Sequence, residues 1–336
     1  MWRVAVVGAT GAVGQEFRVV LEQRRFPAAS YTLLASERSA GKQIDWIGGP
    51  ATVQKLTADA FKGIDCAFFS AGASVSREFV PRAVAAGAVV IDNSSAFRMD
   101  AGTPLVVPEV NPEDARKHKG VIANPNCSTI IMLVPLWPLH RANPVRRVVV
   151  STYQAVSGAG ARALAELELQ THEVLHGKPV RPSVFSVPCA FNVFSHNTAI
   201  GANGFNVEEQ KMVDETQKIF HDAAIQIAPT CIRVPVMRAH TETLAIEFTR
   251  PMPEAQAREL LAAAPGVKIV DDRAQNHFPM PLEATGQDDV LVGRIRQDPS
   301  VPDNRGLLLM CSGDQLRKGA ALNAVQIAEV LGPPRG

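Results

Sequence analysis

Val4-Ala5-Val6-Val7-Gly8-Ala9-Thr10-Gly11-Ala12-Val13-Gly14 begins with a short apolar strand that runs directly into a glycine-rich turn. Gln15-Glu16-Phe17-Arg18-Val19-Val20-Leu21 then reads as a helix, so the order is strand, turn, helix. Glycines at 8, 11 and 14 let the backbone turn tightly and come close to a pyrophosphate. The helix N-terminus beside them offers unpaired N–H groups and a favourable dipole. The spacing G-x-x-G-x-x-G differs from the commoner G-x-G-x-x-G, and glycines alone also fit an ordinary tight turn. The strand–turn–helix context is what favours a dinucleotide site.

Working outward, a second strand over Tyr31–Ala35 is expected to end beside the adenosine ribose. An NAD site usually carries Asp or Glu there for the 2′-hydroxyl. Here the chain reads Ser36-Glu37-Arg38-Ser39-Ala40-Gly41-Lys42, and Arg38 between two serines suits a 2′-phosphate. That favours NADP, while Glu37 leaves NAD open. Further strands are expected over Cys66–Phe69 and Val89–Ile91, with a helix over Ser76–Ala86 between them. Strands alternating with helices give a parallel, doubly wound sheet. Ligands of such a sheet bind outside the carboxyl ends of its strands, where Gly72, Ser94 and Arg98 would lie.

The chain has 336 residues, 46% hydrophobic and 20% charged, which suits two domains with sizeable cores. A net charge of +1 gives no electrostatic case for nucleic acid or an anionic membrane. Met1-Trp2-Arg3 leads straight into the first strand, with no secretory pattern, and no apolar run is long enough to span a membrane. The five cysteines (66, 127, 189, 231, 311) are scattered and lack metal-ligand spacing. Neither a metal site nor a disulfide framework is indicated, and a cytoplasmic setting fits best.

Asn124-Pro-Asn-Cys127-Ser-Thr129 sets one cysteine where a loop meets the apolar run Ile130–Val134. If that run opens a helix, Cys127 lies at its N-terminus, where the dipole stabilises a thiolate fit to act as a nucleophile. The competing reading is an inert buried cysteine. Downstream, Arg146–Tyr153 reads as a strand, and a helix follows to about Leu175. Residues 177–205 read as loop. Asn206 and Glu209 form a capping-box pattern at the start of another helix, on which Glu208 and Lys211 share a face. That pair reads equally as a surface ion pair. Arg233 and His240 differ by an odd number, so one straight strand would point them apart. They converge only if Pro235 or a turn breaks it.

Together these segments resemble the aspartate-β-semialdehyde dehydrogenase family almost end to end. The resemblance rests on GATGAVG (8–14), DNSSAFRMD (92–100), VPEVNP (107–112), ANPNCST (123–129), STYQAVSGAG (151–160), FNVEEQKMVDET (205–216), RVPVMRAHTE (233–242), DDVLVGRIR (288–296) and LRKGAALNAVQIAE (316–329). It implies an N-terminal Rossmann-type NADP-binding domain over 1–127, completed by a C-terminal helix over 312–336. An α+β catalytic and dimerisation domain with a mixed sheet would cover 128–311.

The resemblance also implies roles. Cys127 would be the acylated nucleophile, His240 the acid–base residue, and Gln154 would orient the thioester. Arg233 would take the substrate α-carboxylate, Glu208 its ammonium, and Arg98, Lys211 and Asn126 the phosphate. NADP contacts would come from Gly8, Thr10, Gly11, Ala12, Val13, Gly14, Ser36, Arg38, Ser39, Ser157, Gly158 and Asn323. The implied protein is a homodimer with a small-molecule substrate, no metal, no nucleic acid and no membrane. Its reaction would be NADPH-dependent reduction of L-4-aspartyl phosphate to L-aspartate-4-semialdehyde, supplying lysine, methionine and threonine. N-acetyl-γ-glutamyl-phosphate reductase shares the cysteine chemistry but needs no partner for a free ammonium. Glu208, Lys211 and Arg233 argue against it. A catalytically silent relative or a nucleotide sensor would leave Cys127, Gln154, Arg233 and His240 unexplained.

Overall fold

The computed structural model describes residues 1–333, and the chain divides into two compact units. One comprises Met1–Asn126 with the C-terminal segment from Ala320; the other is Cys127–Gly319.

In the first unit the strands are β1 (Trp2–Val7), β2 (Ala28–Ala35), β3 (Gln43–Trp46), β4 (Gly49–Thr52), β5 (Gln54–Lys55), β6 (Cys66–Phe69), β7 (Val89–Asp92) and β8 (Val121–Ala123). Six of them form one sheet in the order β5-β2-β1-β6-β7-β8, with every pairing parallel. The strand order turns back at β1, which is where a doubly wound sheet opens its crevice. β1 is buried on both faces, and this explains its unbroken apolar run. Val4 and Val6 pack with Phe17, Val20 and Leu21 of helix α1 (Ala12–Gln23) and with Val325 and Ala328 of the C-terminal helix Leu322–Leu331. Ala5 and Val7 pack with Phe61, Phe69 and with Val80 and Ala83 of α2 (Ala73–Ala85). Gly8 has φ +88°, and a Cβ there would collide with the Ser70 carbonyl. One on Gly14 would collide with the Gly8 carbonyl, so the tight joint between strand and helix requires both glycines.

The second unit begins with α3 (Cys127–Ala142), apolar and buried through Ile130–Val134. There follow β9 (Val145–Gln154), α4 (Ala161–Leu175), β10 (Phe194–Ser195), α5 (Val207–Phe220), β11 (Gln226–Arg233) and β12 (His240–Phe248). The remaining elements are α6 (Glu254–Ala262), β13 (Val267–Ile269), α7 (Pro281–Ala284), β14 (Val290–Gln297) and β15 (Gly306–Gly313). The sheet order is β10-β11-β9-β12-β15-β14-β13, mixed in direction. Along β9, Val148, Val150, Thr152 and Gln154 are buried, while Val149 and Ser151 are half-buried and Tyr153 is exposed. That period of two marks one face packed beneath α3 and one left open.

Three expectations need correction. The C-terminal helix does not start at 312: Ser312 and Gly313 end β15, paired with Thr241 and His240. Helical backbone begins at Arg317, after the Asp314 carboxylate accepts the Leu316 and Arg317 N–H groups. Residues 334–336 of that expected helix lie outside the described residues. Within 177–205, which reads as loop, Phe194 and Ser195 pair with β11 as a short edge strand. The family boundary expected after Cys127 falls just before it, because Cys127 is already the first helical residue of α3.

Candidate active site

The second unit gathers most of its reactive side chains at one end of its sheet. β9 and β11 are parallel and finish together at Gln154 and Arg233, while antiparallel β12 starts there at His240. The chain breaks between Arg233 and His240, and Ala239 turns it with φ +71° before β12 begins. The odd spacing is therefore reconciled by a turn around Pro235.

Cys127 sits at the N-terminus of α3 and is half-buried. Cys66, Cys189, Cys231 and Cys311 are buried, and burial pushes their thiols up, Cys189 to about 11. Only Cys127 combines access with a helix N-terminus. Its Sγ lies 3.5 Å from His240 Nε2. His240 Nδ1 accepts the Ala155 N–H at 3.0 Å, so the proton of the neutral ring is on Nε2 and points at the sulfur. Burial, reinforced by the Arg233 charge, holds His240 down to about 3. The ring is thus a neutral N–H donor to a thiolate or an oxyanion at Cys127. Gly319 approaches so closely that a Cβ on it would lie 2.9 Å from Cys127 Cβ.

Gln154 donates to Ser128 Oγ at 2.7 Å and to Glu208 Oε1 at 3.2 Å. Its own Oε1 is buried with no donor among the described residues. Asn206 caps α5 with the reciprocal Asn206–Glu209 box, placing Glu208 in the first turn. Glu208 is buried and bonds Lys211 Nζ at 3.0 Å, which removes this pair from the class of loose surface ion pairs. Arg233 is buried; its Nη1 donates to the Ala155 carbonyl at 2.7 Å and its Nη2 to His196 Nε2 at 2.9 Å. Ser157 and Gly158 lie in the turn after β9, with Ser157 Oγ accepting from Gln315 and Gly158 beside the His240 ring. Gln315 also accepts the Ala239 N–H at 2.8 Å. Sequence reasoning misses His196, Gln315 and Gly319; only the block 316–329 hints at Gly319.

In the first unit, Thr10, Gly11, Ala12 and Val13 line the β1–α1 turn, and Thr10 Oγ1 is 3.5 Å from Ser39 Oγ. Ser36 and Arg38 are exposed just past β2. Glu37 pairs with Lys55 at 2.9 Å, while Arg38 forms no ion pair among the described residues. Asn323 donates to the Val106 carbonyl at 2.9 Å and to Asn124 Oδ1 at 2.7 Å, so its amide hydrogens serve the fold. Arg98 is buried after β7 and donates to the Asn124 and Asn93 carbonyls at 2.9 and 2.8 Å. Asn126, also buried, is the last residue of the unit before Cys127. No cluster of metal-ligating side chains occurs among the described residues, and none of their helices is long and apolar enough to cross a membrane.

A Rossmann-type unit and a mixed-sheet unit bearing a Cys–His pair define a class: NAD(P)-dependent oxidoreductases acting on aldehydes. Residues 3–118 match the family model "Semialdehyde dehydrogenase, NAD binding domain", and 136–318 match "Semialdehyde dehydrogenase, dimerisation domain". The chain is 54% identical over 329 residues to the aspartate-semialdehyde dehydrogenase of Synechocystis sp., covering 98% of this chain and 97% of that protein. It is 48% identical to that of Bacillus subtilis, covering 98% and 96%. The crystal structure of aspartate semialdehyde dehydrogenase II complexed with ASA from Vibrio cholerae superposes with a TM-score of 0.94 at 44% identity, covering 98% of each chain. The chain belongs to the aspartate-semialdehyde dehydrogenase family.

Proposed function

We propose that this protein reduces L-4-aspartyl phosphate to L-aspartate-4-semialdehyde and phosphate with NADPH, reversibly, through a thioester on Cys127. The observation that carries this reading is the Cys127 Sγ–His240 Nε2 approach of 3.5 Å at the end of the sheet that also bears Arg233. The Cys127 thiolate attacks the acyl carbon, the bond to phosphate breaks, and a thioester remains. When bound, NADPH supplies the hydride that reduces the thioester carbonyl. His240 Nε2–H donates to the oxygen as it gains charge, and then to the departing thiolate. The Ala155 N–H keeps the His240 proton on Nε2, so its donor role is the one best supported. Gln154 orients the acyl group. Glu208 receives the ammonium, and the guanidinium of Arg233 meets the α-carboxylate.

Arg98, Asn126 and Lys211 are assigned to phosphate, as cationic or amide donors suit an oxyanion. The first unit, taken as the NADP-binding domain, fits a dinucleotide because side chains at Gly8 and Gly14 would obstruct the turn. Gly8 and Thr10 to Gly14 would hold its pyrophosphate, and Ser36, Arg38 and Ser39 its 2′-phosphate. Ser157, Gly158 and Asn323 complete the proposed cofactor set. Arg38, exposed just past β2 and without an ion-pair partner among the described residues, is the residue that supports NADP over NAD.

The second unit is taken as the catalytic and dimerisation domain of a cytoplasmic homodimer, free of nucleic acid and membrane, serving lysine (through diaminopimelate), methionine and threonine synthesis. Its open sheet face, with half-buried Val149, Ser151, Thr243, Ala245, Leu308 and Met310, suits a second copy. Five free thiols agree with a reducing compartment. NADPH formation from L-aspartate-4-semialdehyde that requires phosphate tests the activity; no turnover, or preference for the N-acetylated glutamyl aldehyde, rejects it. Sedimentation at twice the chain mass tests the dimer.

A further inference from the structure

The 177–205 segment carries no role in the reaction above, yet it is held firmly and reaches Arg233. Glu166 of α4 accepts Ser183 Oγ at 2.6 Å, Ser183 N at 3.1 Å, and Val184 N. Gln170, one turn on, accepts Cys189 N at 2.7 Å and Ala190 N at 3.2 Å. β10 then pairs with β11, Phe194 opposite Arg233. His196 N donates to the Cys231 carbonyl at 2.8 Å, which carries the pairing one residue past β10. Phe185 of the same segment lies against Arg233, whose Cζ is 5.4 Å from the ring centroid.

We propose that His196 is a positioning residue that sets the plane of the Arg233 guanidinium for an α-carboxylate, with Phe185 as the wall behind it. This rests on the assignment of Arg233 made above. A guanidinium only donates, so the 2.9 Å contact from Arg233 Nη2 makes His196 Nε2 an acceptor and puts the ring proton on Nδ1. Nδ1 then donates to Thr198 Oγ1 at 3.3 Å, and that hydroxyl also accepts the Glu208 N–H at 3.2 Å. One connected run therefore links the proposed carboxylate partner to the helix turn that bears the proposed ammonium partner. The acceptors that fix Arg233 are a carbonyl oxygen and a neutral imidazole. A carboxylate in the place of His196 would hold the guanidinium equally well but would cancel its charge. A neutral acceptor orients the fork and leaves the positive charge for an anionic ligand.

The test is steady-state kinetics of the full chain with L-aspartate-4-semialdehyde, phosphate and NADP+. H196L is expected to raise KM for the semialdehyde ~10-fold or more, with smaller changes in kcat and in KM for NADP+ and phosphate. In H196Q the amide oxygen reaches the place of Nε2, and KM should return to within about threefold of wild type. The shorter side chain of H196N reaches Thr198 but not Arg233, so it should behave like H196L; the Gln–Asn pair carries the comparison if H196L does not fold. With 3-aminopropanal, which keeps the aldehyde and amine but lacks the carboxylate, wild type and H196Q or H196N should share one KM. An unchanged KM in H196L, equal KM values in H196N and H196Q, or an equal rise with the carboxylate-free aldehyde overturns the role. Absence of wild-type turnover on the semialdehyde would instead remove the underlying assignment, whereas wild-type turnover with an indifferent His196 removes only this inference.

Discussion

Cys127 differs from the other four cysteines in its surroundings and not in its chemistry. The helix N-terminus and the His240 N–H both favour its anion, while partial exposure leaves the sulfur open to attack an acyl group. Cys127→Ala should therefore abolish phosphate-dependent turnover, by ~10⁴-fold or more, while NADPH binding followed by nicotinamide fluorescence stays near wild type. Turnover above a hundredth of wild type, taken as a rough threshold, would rule out covalent catalysis. Arg38→Ala should narrow the preference for NADP+ over NAD+ by ~10-fold or more, because it removes the proposed 2′-phosphate partner. An unchanged ratio of the two kcat/KM values would place that recognition elsewhere. Cys127, Gln154, Arg233 and His240 are legible in the sequence because each sits in a long distinctive block. His196 is not, since its neighbours 177–205 lack periodicity and its partner Arg233 is 37 residues away. The tautomer of His240 is also hidden there, because it depends on the backbone N–H of Ala155.

Elements are readable where burial leaves a pattern. β1 and β6 are buried on both faces and read as continuous apolar runs; β9 shows a period of two because one face is open. The β3–β4 hairpin escapes notice because Gln43–Trp46 and Gly49–Thr52 carry polar, Gly and Pro residues in place of an apolar run, and β10 because it has only two residues. The resemblance implies a C-terminal helix from 312 but carries no residue pattern that marks its first turn; the pairing of Ser312 and Gly313 with β12 is what identifies them as the end of β15. The capping box at Asn206 is legible, and it bears directly on the site. Asn206 accepts the Glu209 N–H at 2.9 Å, and Glu209 accepts the Asn206 N–H at 2.8 Å. Asn206→Ala should cost ~1 kcal/mol in urea unfolding. Because Glu208 lies in the turn that this box fixes, KM for L-aspartate-4-semialdehyde should rise by more than KM for NADP+. A loss of stability with both KM values unchanged would separate the cap from substrate recognition.

At the scale of the whole molecule, burial disfavours the charged forms of His196, His240 and Glu242, and the rings and the acid give opposite dependences of stability on pH. Burial holds His196 down to about 4 and His240 down to about 3, from an ordinary value near 6.5. Glu208 and Glu209 oppose the shift at His196, whereas Arg233 and Lys211 reinforce it. As pH falls below 6.5 the unfolded chain takes up protons that the folded chain refuses. Stability from these rings is therefore complete above 6.5 and is lost as pH falls toward 4 and then 3. Glu242 on β12 is wholly buried, and neither carboxyl oxygen has a partner among the described residues. Burial pushes it well above its ordinary 4.5, so the folded chain keeps a proton that the unfolded chain releases. Its contribution is complete below 4.5 and declines as pH rises. Each group acts with a slope of ~1.4 kcal/mol per pH unit inside its own window. Urea unfolding from pH 4.5 to 8.5 should show H196Q gaining on wild type as pH falls below 6.5, and E242Q gaining as pH rises. Differences between variant and wild type cancel the contributions of the remaining titrating groups, among them Asp92, whose carboxyl is also raised by burial. Parallel curves for wild type and E242Q would mean that Glu242 is ionised in the folded chain and its desolvation is answered by a cation.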